Sequence, residues 1–303
     1  MKKFELTILG SNSAMPAYGR FPTSQVLNYN DALFLIDCGE GCQMRLAEYK
    51  IKRNRIDHIF ISHLHGDHLY GLPGVITSFN HTSRKRPLTV YGPPGIKLYL
   101  ETIFKLSEVY LNFDLVIKEL IVNAQEIVFE SAFLQVSVFP VYHRITCLGY
   151  LFREINSIKK LKKEKIKEFD LNVDQIKAAL KGDDITLRER VISNEELTHP
   201  KKDNRSYAFC ADSKIDDRLI PIVKGVDLLY FETTYLDDLR VQAEERGHST
   251  AKQVGVFAQK AEVKSLVTGH YSSRYKDVSP ILEEVKQIFP SVYLGYDGMM
   301  INI

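Results

Sequence analysis

Tryptophan is absent from the 303 residues, and cysteine occurs only four times, at Cys38, Cys42, Cys147 and Cys210. So sparse a set excludes a disulfide-stapled scaffold and fits reduced thiols. No apolar run approaches the roughly 20 residues of a membrane-spanning helix. The opening MKKFELTILG carries two lysines, but Glu5 interrupts too short an apolar stretch for a secretory signal. The expectation is a cytoplasmic protein without a membrane segment. A charge surplus is lacking as well. Lys plus Arg total 40 against 38 for Asp plus Glu, a net +2. Whole-protein charge therefore recruits no polyanion, and a nucleic-acid footprint has to be a local patch. Repeats and Gly/Ser-rich linkers are missing too.

What is present is ordinary for a folded chain: 45% hydrophobic and 26% charged residues, with 16 Tyr and 16 Phe supplying aromatic volume. The length is about two typical domains, yet within reach of one α/β domain. Such a chain can bury roughly three-quarters of its extended surface, so its core needs no staples. Short β-type runs recur at Phe4–Leu9, Ala32–Ile36, His58–Ser62, Leu88–Tyr91, Leu134–Val141, Tyr150–Arg153, Tyr207–Cys210, Leu228–Glu232, Ser265–Gly269 and Met299–Ile303. Several end on Gly, Asp or His, as strands do at a functional rim. Between them lie helical patterns. Gly41–Tyr49 is amphipathic, Thr250 with Gln253 forms a capping box for a helix to about Ala261, and Ser279–Pro280 opens one to about Phe289. The alternation predicts α/β layers.

From about Asn156 to Lys202 the chain turns charged and helical. Residues 159–167 read KKLKKEKIK, with Lys159, Lys160, Lys162, Lys163, Lys165 and Lys167 against Glu164 alone. Asn172 and Gln175 then form a capping box ahead of Val173, Ile176 and Leu180, spaced for one helix face. The pattern predicts an insertion projecting from the layers, its lysines too dense to satisfy one another. A solvated surface helix is the alternative.

The sharpest signal follows the strand HIFIS: His63-Leu-His65-Gly-Asp67-His68. With nine His and 18 Asp in the chain, chance predicts roughly 5 × 10⁻⁴ such matches. In an extended turn His63 and His65 can face one metal ion, and Asp67 and His68 a second. Imidazole nitrogen and carboxylate oxygen suit Zn²⁺, and Mn²⁺ is tolerated. Two ions need further ligands. Three candidates each stand just past an apolar strand: His143 after LQVSVFPVY, Asp212 after SYAFCA and His270 after SLVTG. Asp212 can offer one oxygen to each ion. His58, His81 and His199 match no ligand position. Cys38 and Cys42 have no second pair for a zinc site of their own and read as buried small residues.

These residues resemble the metallo-β-lactamase superfamily and, within it, the ribonuclease Z family of tRNA 3′-processing endonucleases. The resemblance runs through LGSNSAMP, FLIDCGEGCQMRL, ISHLHGDHLYGLPGVITS, VYGPPG, CADS, FETTYLDD, GHSTAKQVG and GHYSSRY. It implies an αββα sandwich of two mixed sheets with helices outside, one domain over residues 1–303, and a homodimer. It implies one Zn²⁺ on His63, His65 and His143, the other on Asp67, His68 and His270, with Asp212 bridging. It implies that the ions hold a hydroxide that attacks the phosphodiester, with Asp67 as base. His248 of GHSTA would protonate the departing 3′-oxygen or hold the phosphate. Asp37 would orient a ligand histidine or shape its turn. The Lys-rich insertion at about 156–202 falls where the family carries an arm that grips the tRNA body, and its six lysines, with Arg274 of the HYSSRY segment, become candidate RNA contacts. The sequence departs from the family there, since Phe169–Ile185 has no proline where a Gly/Pro-rich tip is usual. Arg84, Lys85 and Arg86 form a second basic loop that could line the RNA path. The implied function is removal of the 3′ trailer from precursor tRNA, leaving a 3′-hydroxyl. A small-molecule phosphodiesterase with the same metals is the alternative, and an RNA-binding protein without turnover a third reading.

Overall fold

A computed structural model describes residues 3–155, 159–187, 190–199 and 203–303. The strands are β1 (Phe4–Gly10), β2 (Ser24–Tyr29), β3 (Ala32–Cys38), β4 (Ile56–Phe60), β5 (Leu88–Gly92), β6 (Leu115–Glu119), β7 (Glu126–Glu130), β8 (Leu134–Val141), β9 (Cys147–Glu154), β10 (Ile185–Leu187), β11 (Arg190–Ile192), β12 (Ser206–Cys210), β13 (Leu228–Glu232), β14 (Leu266–Gly269), β15 (Val292–Leu294) and β16 (Met300–Asn302). The helices are α1 (Cys42–Glu48), α2 (Gly66–Leu69), α3 (Leu72–His81), α4 (Ile96–Leu106), α5 (Lys163–Glu168), α6 (Val173–Lys181), α7 (Asn194–Leu197), α8 (Ile220–Val223), α9 (Arg240–Arg246), α10 (Ala251–Lys260) and α11 (Ser279–Lys286).

Two seven-stranded sheets carry the fold, in the orders β16-β1-β2-β3-β4-β5-β6 and β15-β14-β13-β12-β9-β8-β7. Both are mixed. In the first, β1 and β2 run antiparallel while β3, β4 and β5 run parallel. In the second, β12 through β15 run parallel. Aromatic side chains fill the space where the sheets face one another. Phe60 meets Tyr150 and Phe152 edge-on at 5.1 and 5.4 Å, and Phe34 meets Phe152 at 5.9 Å. The polar ends of these rings are also used: the Tyr150 hydroxyl donates to the Ile61 carbonyl at 2.7 Å, and Tyr207 donates to Gln25. On the outer face of the first sheet, Leu35, Ile59 and Val90 pack with Leu46 of α1, Ile76 and Phe79 of α3 and Leu100 of α4. On the second, Phe231 meets Phe257 of α10 at a tilt, 5.1 Å between ring centres, and α10 packs on α11. This is the predicted layering of helix, sheet, sheet and helix.

All ten predicted strands form, and so do the helices from Cys42, Ala251 and Ser279. The Thr250–Gln253 and Asn172–Gln175 capping boxes are both made. The start of α11 differs in detail: Ser279 is its first helical residue, and Asp277 caps it by accepting from the Ser279 N–H and hydroxyl at 2.9 and 2.7 Å. Parallel strands placed side by side bring their carboxyl ends, with whatever follows them, to one edge. Every sequence-predicted ligand follows such an end or that of β8.

By internal contact the chain divides into two compact units, one of Met1–Val128, Val136–Phe152 and Ser206–Ile303, the other of Phe129–Gln135 and Arg153–Arg205. The second contains the Lys-rich stretch and also takes in a short segment ahead of β8. The predicted limits of the insertion, Asn156 and Lys202, lie outside the described residues. Its small core joins Leu171, Ala179, Ile185, Ile192 and Leu197, with Ile166, Phe169 and Ile176 packed against them. Asn194 is its polar hub, donating to the carbonyls of Ala179 and Asp183 at 2.6 and 3.0 Å.

Candidate metal centre

The turn after β4 is held from below by Asp37, at the end of β3. Its carboxylate accepts from the Ser62 N–H at 2.7 Å, the Ser62 hydroxyl at 2.8 Å and His68 Nδ1 at 2.6 Å. Because Ser62 Oγ donates to Asp37, it accepts from His63 Nδ1, 3.0 Å away. His143 Nδ1 donates to the Gly247 carbonyl at 2.9 Å. Gly247 has φ 77°, and a Cβ there would stand 2.9 Å from that same Nδ1, so the close approach requires glycine. His270 Nδ1 meets Thr234 Oγ1 at 2.9 Å, and Thr234 donates that hydroxyl to Glu232 Oε2 at 2.7 Å. The hydrogen-bond network thus assigns the Nδ1 proton of four histidines outward.

Their Nε2 lone pairs must then point inward, and they converge. His65 Nδ1 lies 3.0 Å from His63 Nε2 and 3.3 Å from His143 Nε2. Asp212 Oδ2 is 3.7 Å from His63 Nε2. Asp212 Oδ1 is 3.2 Å from His68 Nε2 and 3.1 Å from His270 Nε2, and Asp67 Oδ2 is 3.3 Å from His270 Nε2. The buried His68 Nε2 and Asp212 Oδ1 have no hydrogen-bond partner. Two sets of potential ligand atoms share Asp212, namely His63, His65, His143 and Asp212, and Asp67, His68, Asp212 and His270, and a third group joins Glu232, His248 and His270. Polar atoms gathered and buried at this density are costly unless something is bound. Divalent cations fit that need, and mixed imidazole and carboxylate donors suit zinc or manganese.

The electrostatics agree. Burial, with the charge of His68, keeps His63 well below its usual titration range, and burial also lowers His65 and His143. All three are therefore neutral, the form that ligates. Burial works to raise Asp67 and Asp212, but the charges of His68 and His270 overcome it and hold both carboxyls below the usual range. Burial likewise works to lower His68, and Asp212, Asp67 and Asp37 overcome it and raise it. That much negative charge around one buried ring marks a place for a cation.

All seven sequence-predicted ligands meet here, and His248 stands beside them, its ring 5.3 Å from His143 and 5.4 Å from His270. Sequence reasoning missed the partner of His248. Fully buried Glu232 accepts from His248 Nδ1 at 3.0 Å, from the Ser249 N–H at 2.9 Å and from the Thr234 N–H at 3.0 Å. Burial works to lower His248, yet the Glu232 charge raises it to about 9. The signal was available: Glu232 ends the apolar run LLYFE, the same pattern that pointed to the other ligands. Arg274 lies at the rim, its guanidinium 5.2 Å over Tyr235, whose ring is 6.1 Å from His248.

Other expectations fare differently. Arg84 is buried against Asp57 and the rings of Phe79 and Phe113, and Arg86 pairs with Asp57 as well. Asp57 lies near the start of β4, whereas the ligands follow its other end, so this loop is set away from the ligands. His58 stacks on Phe34 at 5.8 Å, and His81 and His199 are exposed. Cys38 and Cys42 are buried in the core. The six lysines split into two groups. Lys159 donates to Asn194 at 2.7 Å, Lys162 to the carbonyls of Glu195 and Glu196 at 3.1 and 3.0 Å, and Lys165 pairs with Glu168 and Glu196 at 2.8 and 3.7 Å. Lys160, Lys163 and Lys167 are exposed. The expectation that the lysines lack local partners therefore fails for half of them, because α7 supplies partners some 30 residues further along.

Known proteins match this arrangement. The ribonuclease Z of Parabacteroides distasonis is 38% identical over the full length of both chains. The chain belongs to the ribonuclease Z family. The ribonuclease Z of Cytophaga hutchinsonii is 42% identical over 97% of this chain and 95% of its own. Among solved structures, human tRNase Z, short form, superposes with a TM-score of 0.72 at 26% identity over 98% of each chain. The metallo-β-lactamase fold protein YhfI of Bacillus subtilis reaches 0.70 at 17% identity over the full length of both, a likeness of fold alone. The family described as Anti-Pycsar protein Apyc1 matches residues 4–108, which carry the HxHxDH turn. Membership of the ribonuclease Z family makes the chain a hydrolytic endoribonuclease on a metallo-β-lactamase fold. No helix among the described residues is long and apolar enough to cross a membrane.

Proposed function

We propose that the chain cuts precursor tRNA at the start of its 3′ trailer and leaves a 3′-hydroxyl on the tRNA, using two Zn²⁺ ions, with Mn²⁺ as a substitute. The observation that carries this is the pair of inward-facing ligand sets sharing Asp212. His63, His65 and His143 would hold one ion and Asp67, His68 and His270 the other. Such ions supply an activated water and neutralise the phosphodiester. Ionised Asp67 can accept the proton of the attacking water. His248 donates Nδ1 to Glu232, so the proton it can deliver sits on Nε2, facing the leaving 3′-oxygen. Water attack at phosphorus with departure of that oxygen leaves the hydroxyl on the tRNA.

Around this acidic centre the rim is basic. Arg274 covers Tyr235, and Arg246 donates to the Tyr235 hydroxyl at 3.2 Å. Lys160, Lys163 and Lys167 offer unpaired ammoniums for the tRNA body, where phosphate contacts give salt-sensitive affinity. We read the protein as a cytoplasmic homodimer on the family resemblance. Purified protein offered a trailer-bearing tRNA precursor and an aryl phosphodiester tests the reading, with metal content measured alongside. Cleavage of the precursor at the trailer junction supports it. Turnover of the aryl ester alone would favour a small-molecule phosphodiesterase.

A further inference from the structure

Two residues at the mouth of the centre have no part in the chemistry above. Tyr142 directly precedes the ligand His143, and Lys214 comes two residues after Asp212. Tyr142 is 52% exposed, whereas Tyr150, Tyr207, Tyr230 and Tyr271 are fully buried. The two residues are latched together through the backbone. The Lys214 N–H donates to the Tyr142 carbonyl at 2.9 Å. The Tyr142 N–H donates to Ser213 Oγ at 3.2 Å, and that hydroxyl donates to the Lys214 carbonyl at 2.7 Å. The Lys214 ammonium stands 5.4 Å from the Tyr142 ring centroid. The backbone that carries the exposed ring is thus latched beside two ligands, with a cation near the face of the ring. Tyr235, by contrast, is 3% exposed, so its ring has no face left to offer.

We propose that Tyr142 and Lys214 form a nucleotide subsite next to the scissile phosphate, Tyr142 stacking on a flanking base and Lys214 contacting the adjoining phosphate. This rests on the endoribonuclease reading above. Bases splayed from a single strand are taken on aromatic faces in a sequence-tolerant way, because every base has a π-face. A backbone already latched in place leaves only the side-chain torsions to order on binding, which favours affinity. A lysine against it adds a contact that is sensitive to salt.

The test uses metal-loaded enzyme and precursor tRNA carrying 2-aminopurine either as the last tRNA nucleotide or as the first trailer nucleotide. Rapid mixing reads fluorescence before cleavage. The expectation is quenching at one of the two positions in the wild type, lost in Tyr142→Ala and kept in Tyr142→Phe. Tyr142→Ala should raise KM for the precursor by about 5- to 150-fold, the range that stacking one base supplies, with kcat far less affected. Lys214→Gln should flatten the log–log salt slope by roughly 0.7 to 1. Two results would overturn the subsite. One is equal quenching in wild type and Tyr142→Ala, or none at either position. The other is a Tyr142→Ala defect confined to kcat, which would mean that the residue only steadies His143. A wild type that leaves the precursor uncut would instead sink the endoribonuclease reading itself.

Discussion

Replacing Glu232 by glutamine removes one negative charge 3.0 Å from His248 Nδ1 and leaves the ring as buried as before. Glu232, with smaller help from Asp212 and Asp67, lifts His248 to about 9 from an ordinary 6.5, which corresponds to about 3 kcal/mol in favour of the protonated ring. Without it, burial is opposed only by the charges of Asp212 and Asp67, and the value falls. At about pH 7.5 the wild-type ring is almost wholly protonated, while the variant ring gives up part of its protonation. If His248 is the acid, precursor cleavage should therefore drop at that pH, by up to about tenfold, and recover as the pH is lowered. The basic limb of the kcat profile should move downward, because the acid must keep its proton to act. His248→Ala should cost more, about 10²- to 10⁴-fold, at every pH. Glutamine cannot accept from both the Thr234 and Ser249 sides, so some thermal stability should also be lost, on the order of 1–3 kcal/mol for an unsatisfied buried group. Metal content and the melting curve separate that loss from the catalytic one. A nitrophenolate leaving group needs no proton and should hide most of the defect. A Glu232→Gln defect of equal size at every pH, or on both substrates, would refute acid catalysis by His248.

Asp212→Ala should lose bound metal and turnover together, since its two oxygens face different ligand sets; two ions retained with near-normal cleavage would exclude the bridging assignment. Changing Lys160, Lys163 and Lys167 to glutamine should weaken precursor binding and reduce its salt dependence by up to about 0.9 per lost phosphate contact. The same change at Lys159, Lys162 and Lys165 should chiefly lower the melting temperature of the second unit, because these lysines tie down α7. Unchanged affinity and salt slope in the first triple variant would leave those lysines as solvated charges. Phe60→Ala should destabilise the protein by about 3–5 kcal/mol in denaturant titrations, since the ring fills the space between the sheets.

The ligands were readable because each is a polar residue at the end of an apolar strand, and parallel strands gather such ends at one edge. Period and punctuation carried ten of the strands. They failed for β2, β6, β7, β10, β11 and β15, which are polar, short or at an edge, where burial imposes no clear alternation. Glu232 escaped notice because its role depends on His248, 16 residues away, and no local pattern encodes that distance. Lys159, Lys162 and Lys165 misled for the same reason. Lys159 and Lys162 precede α5 and Lys165 lies within it, and their partners on α7 are distant in sequence. Arg84 looked like a free cation in a basic loop, and only the placement of Asp57 and two aromatic rings revealed it as buried.

The arrangement of the ligands makes metal loading a matter of folding as well as catalysis. His63, His65, Asp67 and His68 hang from the first sheet, while His143, Asp212 and His270 hang from the second. Ions bound here clasp the open edge of the sandwich, joining segments more than 200 residues apart, as the Asp67–His270 pairing does. An unfolded chain cannot offer that set at once, so every gain in metal occupancy is also a gain in stability, growing as the logarithm of free metal concentration over its dissociation constant. Stripped of metal, the same edge would be held only by its imidazole–carboxylate pairs, such as His270 with Asp67 and Asp212. It would be the first part of the sandwich to open to hydrogen exchange. In a metal-poor cell, such a protein would be lost to unfolding and proteolysis before it could accumulate as an intact but idle enzyme.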